Sequence, residues 1–200
     1  MNLKSLTSFF VQKCQTRLAT PRVPRASKAR IQSNCWLDLH CKDISGRVLS
    51  IGASDDEDGQ GREYRDYFSS ASDFVTSEVC SSFGTDLVLD VQSMPEVPDE
   101  SYDAIFCSGV LEHVFDFKSS VSEMHRVLSP NGILLLGLPF CQGIHHAPTD
   151  YWRFTSFGIQ HLLKDGFEIL NLESIEETQP GFPVAYWCKA RKVSTATTTI

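Results

Sequence analysis

Residues 132–139 constrain this chain more than any other segment, because all eight are aliphatic, glycine or proline. A strand with one wet face alternates apolar and polar residues. A strand without that alternation is covered on both faces, as in the parallel sheets of α/β proteins. Shorter runs of the same kind stand at 47–51, 74–78, 87–90 and 102–108. Phe117, Val121, Met124, Val127 and Leu128 recur at helical spacing and stop at Pro130 and Gly132. A second helix is expected over 156–164, with Ser156 as its cap and Gly166 beyond its end. Segments 167–175 and 184–189 read as strands joined by too few residues for a crossover helix, so they must pair antiparallel. The expected fold class is therefore α/β: a mostly parallel sheet ending in an antiparallel hairpin, with helices on both faces.

Charge divides the chain unevenly. Residues 1–37 carry seven Lys or Arg and no acid, whereas 38–188 carry eight bases against 25 acids. An acidic body repels phosphate backbones, which argues against a nucleic-acid partner. The longest apolar run is far too short to span a bilayer. Seven cysteines without a Cys-x-x-Cys pair indicate neither a disulfide framework nor a zinc site, and a reducing, cytoplasmic setting fits them. Cys107 and Cys141 sit in apolar runs and are expected to be buried.

Leu3, Leu6, Phe10, Cys14 and Leu18 share one helical face, and Pro21 and Pro24 close the segment. A basic, acid-free amphipathic start is either a helix packed on the domain or an organelle-targeting segment. The expected division is a basic arm over 1–45, one domain over 46–192 and a flexible tail over 193–200.

In a doubly wound sheet, ligands bind beyond the carboxyl ends of the strands. The first strand ends at Gly52, Ala53 and Ser54, a small-residue turn that lets backbone approach a ligand. Asp55, Asp56, Glu57 and Asp58 follow it. That run opposes a pyrophosphate and reads otherwise as a solvated acidic loop. The second strand ends at Glu78, an acid able to accept both hydroxyls of a ribose. After the third strand, Asp90 and Val91 can meet an adenine edge, with Met94 as an apolar wall. The fourth ends at Ser108 and Gly109. Together these define a nucleoside site.

Residues 99–114, 123–136 and 150–155 resemble the class I S-adenosylmethionine-dependent methyltransferases, specifically the small-molecule type 11 branch. The likeness covers roughly residues 44–190. It implies a Rossmann-like seven-stranded sheet, S-adenosylmethionine as cofactor and a small-molecule acceptor. It assigns Gly52, Ala53 and Ser54 to the methionine part, Glu78 to the ribose, Asp90 and Val91 to the adenine, and Ser108 and Gly109 to the rim. Ser50 stands where the family usually has an acid, and Ser54 where it has glycine. Residues 62–68 resemble the start of the branch's first helix.

Methyl transfer is an in-line displacement that positioning largely drives, and a general base matters only when the nucleophile must lose a proton. His113 and His145 are the candidates, with His146, Asp150, Tyr151 and Arg153 on the expected substrate side. Arg153 either meets an anionic substrate group or pairs with Asp150 to hold the loop. The adjacent His145 and His146 lack a third placed ligand, so no metal is expected. The alternatives are a catalytically silent relative acting as a binding or assembly partner, and a nicotinamide-dependent oxidoreductase. Neither the acceptor nor the oligomeric state is written in strand ends.

Overall fold

The computed structural model describes residues 27–54 and 56–193. The amphipathic face from Leu3 to Leu18 and the tail from 194 onward lie outside them. Seven strands form one sheet: β1 (Gly46–Ile51), β2 (Ala71–Glu78), β3 (Leu87–Val88), β4 (Tyr102–Ser108), β5 (Leu128–Pro139), β6 (Phe167–Glu177) and β7 (Pro183–Lys192). Their order is β3-β2-β1-β4-β5-β7-β6. The first five are parallel, and β7 runs antiparallel to both β5 and β6. The closing hairpin and the mostly parallel body are those expected from the apolar runs.

Burial on both faces explains the runs. Leu134 and Leu136 point into one core and Leu135 into the other, all fully buried. Each such side chain stabilises the fold by about 1.5–3 kcal/mol relative to exposure. The larger core lies under α2 (Phe117–Val127) and α3 (Ser156–Leu163). The smaller lies under α1 (Lys28–His40) and a single 3-10 turn, Tyr64–Tyr67.

Helix α2 follows its expected spacing as far as Val127, but Leu128 and Pro130, expected as its last apolar position and its stop, already belong to β5. Val121, Met124 and Val127 are buried, and Asp116 caps it by accepting from the Ser119 N–H at 3.1 Å. Helix α3 begins one residue differently. Thr155, not Ser156, is the cap, accepting from the Gly158 N–H at 3.0 Å.

Helix α1 escapes a reading by periodicity, because its buried residues are only Asn34, Trp36 and Leu37. It docks on the hairpin. Trp36 stacks on Trp187 at 5.1 Å and donates its indole N–H to Asn171 at 2.8 Å, and Lys189 donates to the carbonyl of His40 at 2.7 Å. The crossover from β1 to β2 contains the 3-10 turn rather than the helix that residues 62–68 resemble. Among the described residues no helix is long and apolar enough to cross a membrane.

Candidate active site at the strand ends

The carboxyl ends of β1, β2 and β4, together with the residues just after β3, open onto a cavity of about 640 Å³. The turn after β1 is pinned in place, since the N–H groups of Gly52 and Ala53 both donate to the Ser77 carbonyl, at 2.9 and 3.0 Å. Gly52 has φ of +79°, and a Cβ there would overlap Cγ2 of Val110. Only glycine lets the chain turn at this position while leaving room beside it.

Gly52, Ala53, Ser54, Glu78, Asp90, Val91, Ser108 and Gly109 all line this one cavity, as do His113, His145 and His146. Ser50 lines it as well and is 2% exposed. Glu78 accepts from the Val79 N–H at 2.9 Å, and Asp90 from the Gln92 N–H at 3.0 Å. Met94 is fully buried in the core and is not part of the wall. A bridge between Asp90 and Ser93 turns the chain there, and Met94 is held between Glu123 and Arg126 by its backbone.

The substrate-side residues divide. His145 and His146 reach the cavity; Asp150, Tyr151 and Arg153 do not line it. Arg153 forks onto both oxygens of Asp150 at 2.6 and 2.9 Å and donates to the carbonyls of Gln142, Gly143 and Trp152. Its charge is therefore spent on the loop. That pairing, with desolvation opposing it, holds the Asp150 carboxyl well below the usual carboxylate range. Asp150 in turn accepts from the backbone N–H of His145 at 2.8 Å. The N–H groups of Tyr151 and Trp152 donate to the Glu112 carbonyl, so this loop is fastened beneath the end of β4.

Sequence reasoning missed two groups of wall residues. One is α1, which contributes Arg30, Ser33, Asn34 and Leu37. The other is Glu112, in the 3-10 turn Leu111–His113, with a side chain only 2% exposed. Its carboxylate lies 3.7 Å from Nε2 of His113 and 3.9 Å from Nε2 of His145. Glu112 pushes the His145 imidazole above its ordinary range, against the effect of burial.

The acidic loop is also not simply solvated. Asp58 is 2% exposed and accepts from Asn34 at 2.9 Å, the Tyr67 hydroxyl at 2.7 Å and the backbone N–H of Gln60 at 2.6 Å. It ties α1 to the Tyr64–Tyr67 turn. Asp56 reaches the cavity wall, where burial pushes its carboxyl up and Arg65 opposes the shift. Cys141, expected to be buried, is exposed, whereas Cys107 is buried.

The wall thus carries Asp56, Glu57, Glu78, Asp90 and Glu112 against one arginine, Arg30, among the described residues. Such a wall suits a ligand with positive charge and a single carboxylate. Residues 68–136 match the family Methyltransf_11, described as a methyltransferase domain. The match spans about a third of the chain and shows a likeness to that family over β2 to β5. No curated protein matches its sequence.

Solved structures share the fold of this chain at low identity. One is the 1,6-didemethyltoxoflavin-N1-methyltransferase of Burkholderia thailandensis, solved with 1,6-didemethyltoxoflavin and S-adenosylhomocysteine. It is 18% identical at a TM-score of 0.64, over 94% of this chain and 88% of that one. The [4+2]-cyclase SpnF is 16% identical at 0.64, over 94% and 92%. The CurJ carbon methyltransferase is 16% identical at 0.58 over 83% of this chain, which spans only 54% of that protein.

Proposed function

We propose that the protein transfers a methyl group from S-adenosylmethionine to a small-molecule acceptor. The observation that carries this reading is the gathering of Gly52, Glu78, Asp90 and Ser108, each from a different strand end, around one cavity. Its volume of about 640 Å³ lies in the range of small-ligand sites.

The residues present fit the cofactor chemically. The Gly52–Ser54 turn offers backbone at close approach, and Arg30 can meet an amino-acid carboxylate. The surrounding acids suit an ammonium and a sulfonium. Glu78 can accept from ribose hydroxyls, and Asp90 with the Val91 N–H can meet an adenine edge. S-adenosylmethionine supplies an electrophilic methyl group, so the protein's part is to hold the acceptor in line with it and keep bulk water out. His113 and His145 stand on the wall near Glu112, where a proton can be taken from an acceptor hydroxyl or amine. The acidic wall supports a small acceptor over a nucleic acid. The free thiols of Cys41, Cys107 and Cys188, buried in the core, support a reducing compartment such as the cytoplasm.

A second reading has specific support. Ser50 and Ser54 depart from the family's first motif, and SpnF is a cyclase on the same fold, so the cavity could serve another reaction or binding alone. Calorimetric titration with S-adenosylmethionine, S-adenosylhomocysteine and a nicotinamide dinucleotide separates these readings. Saturable binding of the first two only is expected. A folded chain that binds neither overturns methyl transfer.

A further inference from the structure

The strand-end cavity holds a second arrangement that methyl transfer does not require. Glu112 is a buried carboxylate whose Oε2 has no hydrogen-bond partner among the described residues. Its Oε1 lies 3.7 and 3.9 Å from two imidazole nitrogens, beyond hydrogen-bond reach. A buried carboxylate left in this way is costly unless a cation completes it.

The two imidazoles are oriented as ligands are. Nδ1 of His113 lies 3.0 Å from the Thr149 carbonyl, and Nδ1 of His145 lies 3.0 Å from the Gly143 carbonyl. A carbonyl oxygen only accepts, so each Nδ1 carries the proton, and in the neutral ring Nε2 carries the lone pair. In both rings Nε2 is the nitrogen turned toward Glu112. Fixing the outer nitrogen on a backbone carbonyl is how proteins set the tautomer of metal-binding histidines. Asp150, 3.4 Å from Nδ1 of His145 and itself clamped by Arg153, adds the outer carboxylate common at such sites.

One donor atom from each of Glu112, His113 and His145 lies within 4.8 Å of the others. A tetrahedral zinc site with bonds of about 2.1 Å places its donors about 3.4 Å apart, so a contraction of at most about 1.4 Å closes the set. All three residues line the cavity, which leaves the remaining coordination positions facing it.

We propose that Glu112, His113 and His145 form a binding site for a divalent transition-metal ion at the acceptor end of the cavity. Two imidazoles and one carboxylate suit zinc, iron(II) or manganese(II) better than the all-oxygen sites of magnesium or calcium. With their Nε2 lone pairs on the metal, His113 and His145 would not act as bases; an acceptor hydroxyl bound there would instead lose its proton to solvent more readily, through Lewis-acid assistance. That use rests on the methyl-transfer reading; metal binding itself does not. The three ligands come from the ends of two strands more than thirty residues apart in sequence, so spacing along the chain does not reveal them.

The test uses the full chain, stripped with a chelator. Zn²⁺ is titrated by calorimetry and Co²⁺ by visible absorption, with folding followed by circular dichroism. The expected result is one equivalent per chain, with cobalt bands in the visible and no thiolate charge-transfer band. Glu112→Gln and His145→Ala should each weaken binding by at least about 100-fold. His161→Ala, an exposed histidine away from the cavity, should leave it unchanged. If Glu112→Gln fails to fold, His145→Ala alone decides. Absence of saturable binding, equal affinity in the folded variants, or a thiolate band overturns the proposal. A parallel titration with S-adenosylhomocysteine keeps the two readings apart. Nucleoside binding without Zn²⁺ binding removes this site only, and Zn²⁺ binding without nucleoside binding removes only the methyl-transfer reading.

Discussion

Replacing Gly52 by alanine tests whether the turn after β1 is shaped as the structure has it. Two costs arise. The backbone φ of +79° lies in the left-handed region, which penalises a residue with a Cβ by about 1–2 kcal/mol. The new methyl also overlaps Cγ2 of Val110, a branched side chain with few alternative rotamers, and such overpacking costs about 1–3 kcal/mol. Gly52→Ala should therefore lower unfolding stability by about 2–5 kcal/mol in a urea titration followed by circular dichroism. Adding Val110→Ala removes the overlap but not the backbone penalty. The double variant should show a coupling of about 1–3 kcal/mol in a double-mutant cycle. S-adenosylhomocysteine binding should fall in the single variant, because the turn forms the cavity wall. Stability within about 0.5 kcal/mol of wild type, or no coupling to Val110, would refute this account of the turn.

Asp58→Ala removes the acceptor shared by Asn34, Tyr67 and Gln60 and should cost about 3 kcal/mol, with faster amide exchange across α1. Burial pushes the Asp58 carboxyl up, but hydrogen bonds from Tyr67, Gln60 and Arg62 outweigh it and hold it below its ordinary range. Its stabilisation is therefore complete above the unfolded carboxylate pKa of about 3.9 and fades as pH falls through the lower folded value. Acid titration of Asp58→Asn should lack that component. Arg126 binds Glu123, Asp99 and the carbonyls of Met94 and Val97. Arg126→Ala should cost about 2–4 kcal/mol, and lysine should rescue little of it, because one ammonium does not replace the fork. In the folded protein, alkylation followed by mass spectrometry should mark exposed Cys35 and Cys141 well before Cys107 or Cys188. Burial pushes the Cys188 thiol up to about 12 and that of Cys107 upward as well.

What the sequence made legible follows from where burial acts. Strands covered on both faces must be apolar throughout, so β4 and β5 stand out residue by residue. The hairpin follows from the shortness of its connection. Helix α1 was hidden because its contact surface is Trp36, Leu37 and a polar Asn34 rather than a stripe. Asp58 looked solvated because runs of acid ordinarily are. Its burial depends on partners 24 residues before it and nine after, which no local pattern encodes. Of the residues expected at a nucleoside site, those at strand ends could be read in order, because the fold brings strand ends together. Met94 could not, since one turn at Asp90–Ser93 sends it into the core. Arg153 carried two readings in the sequence, and its five acceptors leave it in the loop. Glu112 had no signal of its own; only the meeting of two strand ends sets it against His145.

The central claim is that the strand-end cavity is a nucleoside site. Calorimetric titration of the full chain with S-adenosylhomocysteine, repeated with Glu78→Ala and Asp90→Ala, tests it most directly. The account predicts saturable micromolar binding that falls by at least about tenfold in each folded variant, the loss of a charge-assisted hydrogen bond. Binding unchanged in both variants, or absent from a folded wild-type chain, would contradict it.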